Sequence, residues 1–598
     1  MDILGVSCFY HDAAAALIRD GELVAAAMEE RFTRKKHDNG FPKLAIDFVL
    51  RQAGISGPDL DYVVFYEKPM VKVERILMST LATFPRSAGV WREATLAWLE
   101  DRLWVKPLLL KHLGVPASKI LFTDHHLSHA ASAFFASPFD EAAVLTADGV
   151  GEWTTTTTGV ARADWEDHRN GGNAITLDRE QRFPHSIGLL YSAFTAWLGF
   201  EVNEGEYKVM GMSPYGEPKY MDKVYKVFHL NDDGSFRLDM DYFSFHRSPK
   251  QTYSQKFVDL FGPPRKRESP FITTRTDPGV NPNDPQVRQC QYYADVAASI
   301  QRVTEEALLK IARDLHARTG QKHLVMAGGV MLNSVANYRI LTETPFEDVF
   351  IQPAAGDDGG ALGAALWAYH LVEGKPRRRD SVMRHAYYGA AYDDDAITGF
   401  LNTNGIRYER IEDRAKLAGI IAEELAQGKV IGLYQGRFEW GPRALGNRSI
   451  LADPRRAEMK QIVNEKIKFR EPFRPFAPVV LAERAAEYFD FPKVDESLPA
   501  RFMLMVSPVK PDKQAEVPAT THEGGTGRLQ TIDRPTNPLY YDIVDCFGQI
   551  TGTPVVLNTS YNLRGEPIVT TPANAHWTYS NSGIDMLVME NYVVRKEK

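Results

Sequence analysis

Residues 2–28 and 141–162 follow one pattern, and that repetition constrains the fold more than any other feature of the chain. The first segment reads as a strand, a polar turn at Tyr10–Asp12, a second strand, a turn at Asp20–Gly21 and a third strand. The second reads as a strand, a polar turn at Asp148–Glu152 and a threonine-rich strand. Each copy therefore opens a half-domain on a hairpin with polar groups at its tip. Helical stretches follow at Pro42–Ala53, Val90–His112 and Asp295–Thr319, with apolar residues at i, i+3 and i+4. Lys322–Asn333 and Phe346–His370 then share a further order: buried strand, glycine turn, helix start.

Two α/β halves whose hairpin tips and glycine turns face a cleft are the layout of actin-like ATP-binding proteins, a likeness that licenses a nucleotide cleft but no reaction. At 598 residues the chain is too long for one core. Glu373–Asp395 lacks an apolar period and is densely charged, so it reads as the connection to a second, mixed α/β domain. The boundaries expected are 1–380 and 381–598. Val71–Leu113, with Trp91, Trp98 and Trp104, reads first as a packing helix pair and alternatively as the wall of a substrate pocket. A formal net charge of −7 argues against broad nucleic-acid or membrane-surface binding. Three scattered cysteines, Cys8, Cys290 and Cys546, suggest neither a zinc knot nor a disulfide framework, and fit a reducing cytosol. The start, MDILGVSCFYHD, is no signal peptide, and no apolar run approaches membrane-spanning length.

Tyr434–Pro478 holds Arg437, Arg443, Arg448, Lys468, Arg470 and Arg474 among glycines and prolines that break any helix. Guanidinium groups on turns and strand ends suit capture of a small phosphate or carboxylate; the alternative is a solvated basic loop. Asp124–Phe135 puts His125 and His129 four apart, on one helix face, as two ligands of one metal require, while His126 points elsewhere. A carboxylate from Asp357 or Asp358 would complete a two-histidine site for Fe(II) or another divalent ion; otherwise those aspartates are helix caps. Glycine turns at Gly328–Gly329 and Asp148–Glu152 can bring backbone amides to phosphate, and no P-loop motif occurs. Lys36 lies in a basic turn that reaches a phosphate or is merely solvated. His11, at the first hairpin tip, is a candidate proton acceptor or a structural histidine. His522, Arg528, Asn558 and Ser560 add polar groups that can complete an anion pocket.

Together YHDAAAAL, EERFTRKKHD, HHLSHAASAF, DGVGEW, GEYKVMGMSPYG, AGGVMLN, QPAAGDDGGALGAA, GRFEWGPRALGNRSI, KFREPFRPFAP and NTSYNLRGEPIV resemble, over the full length and in order, the NodU/TobZ family of O-carbamoyltransferases. The resemblance implies an α/β chain: a duplicated actin-like (ASKHA, ribonuclease H-like) domain followed by a YrdC-like mixed α/β domain. It implies two steps. The YrdC-like domain hydrolyses carbamoyl phosphate and couples the carbamate to ATP, with Mg2+, releasing pyrophosphate. The carbamoyl adenylate then meets a substrate hydroxyl in the actin-like domain, giving an O-carbamate and AMP; enclosed transfer limits hydrolysis of the mixed anhydride. The roles carried over are catalysis for His11, Arg437, Lys468 and Arg528, and metal binding for His125, His129 and Asp357, with Asp357 preferred to Asp358. Ligand binding is carried over for Lys36, Asp148, Gly328, Gly329, Asn333, Arg443, Arg448, Arg470, Asn558 and Ser560. THEGGTGRLQ departs from the family's usual form, so His522 is the softer assignment beside Arg528. The implied partner is a small hydroxylated natural product, in the cytoplasm, without nucleic acid or membrane; symmetry base rates favour a homodimer. Competing readings are an actin-like ATPase or assembly module and threonylcarbamoyl transfer to tRNA.

Overall fold

The computed structural model describes residues 1–89, 91–92, 104–166, 172–248 and 250–596. Trp98, and with it part of the proposed packing pair, lies outside the described residues. Among those described, no helix is long and apolar enough to cross a membrane. The chain divides into two compact units: residues 1–25 with 39–382, and residues 26–38 with 383–598.

The first unit contains the expected duplication. Its first sheet has strands Asp2–Ser7, Ala14–Arg19, Glu22–Met28, Tyr62–Phe65 and Ile120–Phe122, ordered third, second, first, fourth, fifth. The first two pair antiparallel, while the first, fourth and fifth run parallel. The second sheet, Glu141–Ala147, Thr154–Arg162, Ala174–Arg182, His323–Ala327 and Asp348–Phe350, has the same order and the same directions. Two sheets of ribonuclease H-like topology in tandem make the actin-like fold. Register puts Ser7 opposite Ala14 and Ala147 opposite Thr156, so the hairpin tips carry His11–Asp12 and Asp148–Glu152, as read from the pattern.

Small residues decide how closely the elements approach. The helix Asp357–Trp367 begins DDGGALGAA and is buried along nearly its whole length. A Cβ on Gly363 would lie 1.7 Å from the Ser128 carbonyl oxygen, and one on Gly5 would lie 1.8 Å from that of Ala361. Only glycine lets this helix lie against both the helix His125–Phe134 and the first strand. Gly363→Ala is therefore expected to destabilise the fold by roughly 1–3 kcal/mol, the cost of overpacking. Thermal denaturation checks this, and an unchanged midpoint would show that the helices separate freely.

The second unit is built on an eight-stranded mixed sheet. Across it run Glu409–Arg410, Tyr592–Arg595, Met586–Met589, Ile431–Tyr434, Arg448–Ala452, Val555–Ser560, Ala477–Leu481 and Gln530–Ile532. Alternate residues enter two cores, as a pleated sheet covered on both faces requires. Leu451 joins Leu417, Ile421, Ile543 and Phe547 on one side, and Ile450 and Ala452 join Ile397, Leu401 and Tyr579 on the other. Residues 26–38 belong here because their arginines are satisfied here. Arg31 donates to the Gly441 carbonyl at 2.9 Å, and Arg34 donates to Ile568 and Pro567 at 2.6 and 2.7 Å.

Candidate functional site

Four side chains of the first unit converge on one point: His125, His129, Asp148 and Asp357, all buried, with ligand atoms within 4.8 Å of one another. The two histidines share a helix face, and their Nε2 atoms lie 3.1 Å apart. Asp148 comes from the second hairpin tip, its Oδ2 3.1 Å from His125 Nε2. Asp357 opens the glycine-rich helix, its Oδ1 3.5 Å from His125 Nε2 and 3.6 Å from His129 Nε2. The chemistry of the donor set fits a divalent cation: two imidazoles and two carboxylates aimed inward. Asp357 sharpens the point, because both its buried oxygens lack a hydrogen-bond donor among the described residues. Although burial lowers them, Asp148 and Asp357 hold His125 well above, and His129 above, its ordinary value. A cation would displace those protons. Asp358 lies outside the cluster; burial, then Asp12, lifts it to about 7. His126 turns away to Thr146 Oγ1 and the Thr154 carbonyl, at 2.6 and 2.9 Å.

A second layer fixes these ligands, and little in the sequence announced it. Glu67 Oε2 stands 3.5 Å from His125 Nδ1, and Lys72 grips both Glu67 oxygens at 2.9 and 2.8 Å. Against burial, which raises it, Lys72 and His125 hold Glu67 down at about 2. Glu152 accepts the backbone N–H of His125 at 3.0 Å and that of Lys68 at 2.8 Å, a carboxylate at a helix N-terminus. Such outer partners set which ring nitrogen is free to ligate.

The glycine turn joins the cluster through Asp148, whose Oδ1 accepts from Gly329 N at 3.0 Å. Gly328, at φ 99°, has no room for a side chain, since a Cβ would meet the Ala147 carbonyl at 2.2 Å. Asn333 caps the next helix, accepting from Ala336 N. His11 differs from expectation. Its Nδ1 lies 2.5 Å from Asp12 Oδ2 and its Nε2 2.9 Å from the Asn203 carbonyl. Burial lowers the imidazole, but Asp12 outweighs it and lifts it to about 10. A ring that keeps its proton through neutrality donates, so His11 as found is not the proton acceptor expected.

In the second unit Lys468 is the focus. Its buried Nζ meets Ser560 Oγ at 3.2 Å and Asn562 Oδ1 at 2.6 Å, and the carbonyls of Ser560 and Asn562 at 2.8 and 2.9 Å. Burial, then Arg470, Arg474 and Lys36, push it well below the usual lysine value. Lys36 thus belongs to this unit, whereas Gly328 and Gly329 belong to the other. Asn558, two residues before Ser560 on one strand, donates to the Ala444 carbonyl at 3.1 Å and to Gln530 at 2.7 Å. Its buried Oδ1 meets no donor among the described residues. Arg443 precedes Ala444, whose backbone is tied to this strand, and Arg528 lies two residues before Gln530, whose side chain is. His522 Nε2 lies 3.2 Å from the Phe476 carbonyl; burial, then Arg528, lowers it to about 3.

Two arginines of the cationic stretch are spent on the backbone. Arg437 donates to the Gly389 and Tyr388 carbonyls at 2.8 and 2.6 Å. Arg448, fully buried over the Tyr434 ring, donates to Gln435, Asn447 and Gly436. Arg448 therefore braces the loop, where a ligand contact was expected. Sequence reasoning also missed Glu439, whose Oε1 gathers the N–H groups of Leu445, Asn447 and Arg448.

Two family models match the chain: "Carbamoyltransferase N-terminus" over residues 2–366 and "Carbamoyltransferase C-terminus" over residues 422–596. The chain is 44% identical to an uncharacterized protein of Synechocystis sp., over 99% of this chain and 96% of that protein. It is 36% identical to nodulation protein NolNO of Sinorhizobium fredii, over 98% of this chain and 79% of that protein. An uncharacterized protein of Methanocaldococcus jannaschii is 30% identical over 100% of this chain and 99% of its own length.

Proposed function

Because the chain belongs to the carbamoyltransferase family, we propose that it is an ATP-dependent O-carbamoyltransferase whose two units catalyse successive half-reactions. The observation that carries this is the convergence of His125, His129, Asp148 and Asp357 beside a glycine turn, in a chain with a separate buried cationic pocket. In the second unit Lys468 and its cationic neighbours hold carbamoyl phosphate. Water cleaves it to carbamate and phosphate. A carbamate oxygen then attacks the α-phosphorus of Mg2+-bound ATP, and pyrophosphate departs. Asn558 Oδ1, an acceptor without a donor among the described residues, suits the carbamoyl NH2.

In the first unit the acceptor's hydroxyl oxygen bonds to the carbamoyl carbon. The mixed-anhydride bond breaks, its electron pair leaves with AMP, and the hydroxyl proton is lost to water. His125, His129, Asp148 and Asp357 would hold a divalent cation, Fe(II) by the family resemblance, which when bound supplies Lewis acidity to the carbamoyl oxygen. Glu67 and Glu152 keep the His125 ring and helix in place. The Gly328–Gly329 turn and His11 border the adenylate, the turn fixing Asp148 through the Gly329 N–H and His11 being held by Asp12 and the Asn203 carbonyl. The acceptor is a small hydroxylated compound.

The test is pyrophosphate release from ATP. It is expected to require carbamoyl phosphate and to precede any acceptor. Release of phosphate from ATP without carbamoyl phosphate would instead identify an ATPase and end this reading.

A further inference from the structure

Arg75 has no assigned role, and its surroundings are unusual. It lies in the helix Pro69–Thr83, part of the stretch read as mere packing. The side chain is 6% exposed, and its Nη1 meets no acceptor among the described residues. The Phe183 ring lies 5.1 Å from its Cζ. Two carboxylates attract it, Glu67 and Glu152, but both are already engaged: Glu67 by Lys72, and Glu152 by the Lys68 and His125 amides. A buried guanidinium with one nitrogen left unpartnered is costly, and an anion received there would satisfy it.

The position relative to the four-residue cluster says which anion. A Cβ on Gly149, next to Asp148, would lie 3.5 Å from the Tyr10 hydroxyl, and Arg75 and Asp148 both bear electrostatically on that hydroxyl, so Arg75 borders the transfer site. Lys72, one helical turn earlier, sits 4.4 Å over the Tyr10 ring and is occupied with Glu67. The glycine turn reaches the cluster through Asp148, on the Nε2 edge of His125. Arg75 lies one helical turn beyond Lys72, whose partner Glu67 stands on the Nδ1 edge.

We infer that Arg75 receives the carboxylate or phosphate of an anionic acceptor, so that the hydroxyl compound carbamoylated here is an acid; this rests on the carbamoyl-transfer reading. An uncharged polyol would leave the guanidinium unmatched, and a cationic acceptor would be repelled.

The experiment compares wild type with Arg75→Met and Arg75→Lys, using glycerate, glycerol 3-phosphate and glycerol as probes at constant ionic strength. Without ligand, Arg75→Met is expected to melt no lower than wild type, and higher by roughly 2 °C if the unmatched charge strains the fold. A lower midpoint would make Arg75 a structural residue and overturn the inference. Glycerate or glycerol 3-phosphate should raise the wild-type midpoint, glycerol should not, and Arg75→Met should lose that increment while Arg75→Lys keeps part of it. The stronger of the two acids names the anion. Equal shifts in wild type and Arg75→Met, or none with either acid, would refute it. Carbamoyl-phosphate-dependent pyrophosphate release is read on the same wild-type sample: its absence sinks the parent reading, and its presence without an Arg75-dependent shift sinks this one alone.

Discussion

His129→Ala is expected to leave carbamoyl-phosphate-dependent pyrophosphate release near its wild-type rate while O-carbamate formation falls by at least about a hundredfold. The first half follows from location: His129 lies in the first unit, and Lys468 with its cationic neighbours in the second. The second half follows from geometry. His125 and His129 point Nε2 atoms at one spot from 3.1 Å apart, with Asp148 and Asp357 closing it. Removing one imidazole leaves one nitrogen and two carboxylates, a poorer set for a borderline cation, with a gap where the ring was. Lewis-acid stabilisation is worth several kcal/mol, and each 1.36 kcal/mol is tenfold in rate, so a hundredfold is a lower bound. Metal analysis of the purified variant gives an independent readout, since bound cation should fall with the transfer rate. Loss of both half-reactions together would show that the division of labour between the units is wrong.

The fold was legible because its signals are local and repeated. Strand–turn–strand patterns at residues 2–28 and 141–162 place both hairpin tips, and Lys322–Asn333 and Phe346–His370 place both glycine turns; the two sheets share a topology for that reason. The histidine pair was legible by its spacing of four on a helix. Asp148 was legible as a turn residue and a ligand-binding candidate, not as a neighbour of the histidine pair. Its place in that cluster depends on the second sheet bringing the tip under a helix from another segment, which no spacing encodes. Glu67, Lys72 and Arg75 were invisible for a related reason. Charged residues at helical spacing normally mark a solvated face, yet here that face turns inward. The cationic stretch misled in the opposite sense. Its density of arginine suggested one pocket, but Arg448 is consumed in bracing its own loop and Arg437 is held by two carbonyls. Guanidinium groups serve backbone oxygens as readily as ligands, and composition does not tell the two apart.

Lys468→Met is expected to abolish carbamoyl-phosphate-dependent pyrophosphate release, by at least about a hundredfold, the scale on which loss of one fixed donor to a reacting anion is felt. Methionine nearly fills the lysine's volume without its charge, so the buried site stays packed and the effect reports electrostatics. The amine has four oxygen neighbours and only three N–H bonds to give, so an incoming phosphate oxygen must displace one of these acceptors. Its proton is held weakly beforehand, because burial and then Arg470, Arg474 and Lys36 disfavour the charge, against the opposing pull of Glu566. An arriving dianion offsets the repulsion and raises the lysine towards its usual value. At a pH between the two values, binding must therefore take up protons. Calorimetric titration with carbamoyl phosphate in two buffers of different ionisation enthalpy would read that uptake directly, and Lys468→Met should remove it. Binding enthalpies that agree between the buffers in wild type would mean that Lys468 is fully charged beforehand, and its depressed basicity would then play no part in capturing the donor.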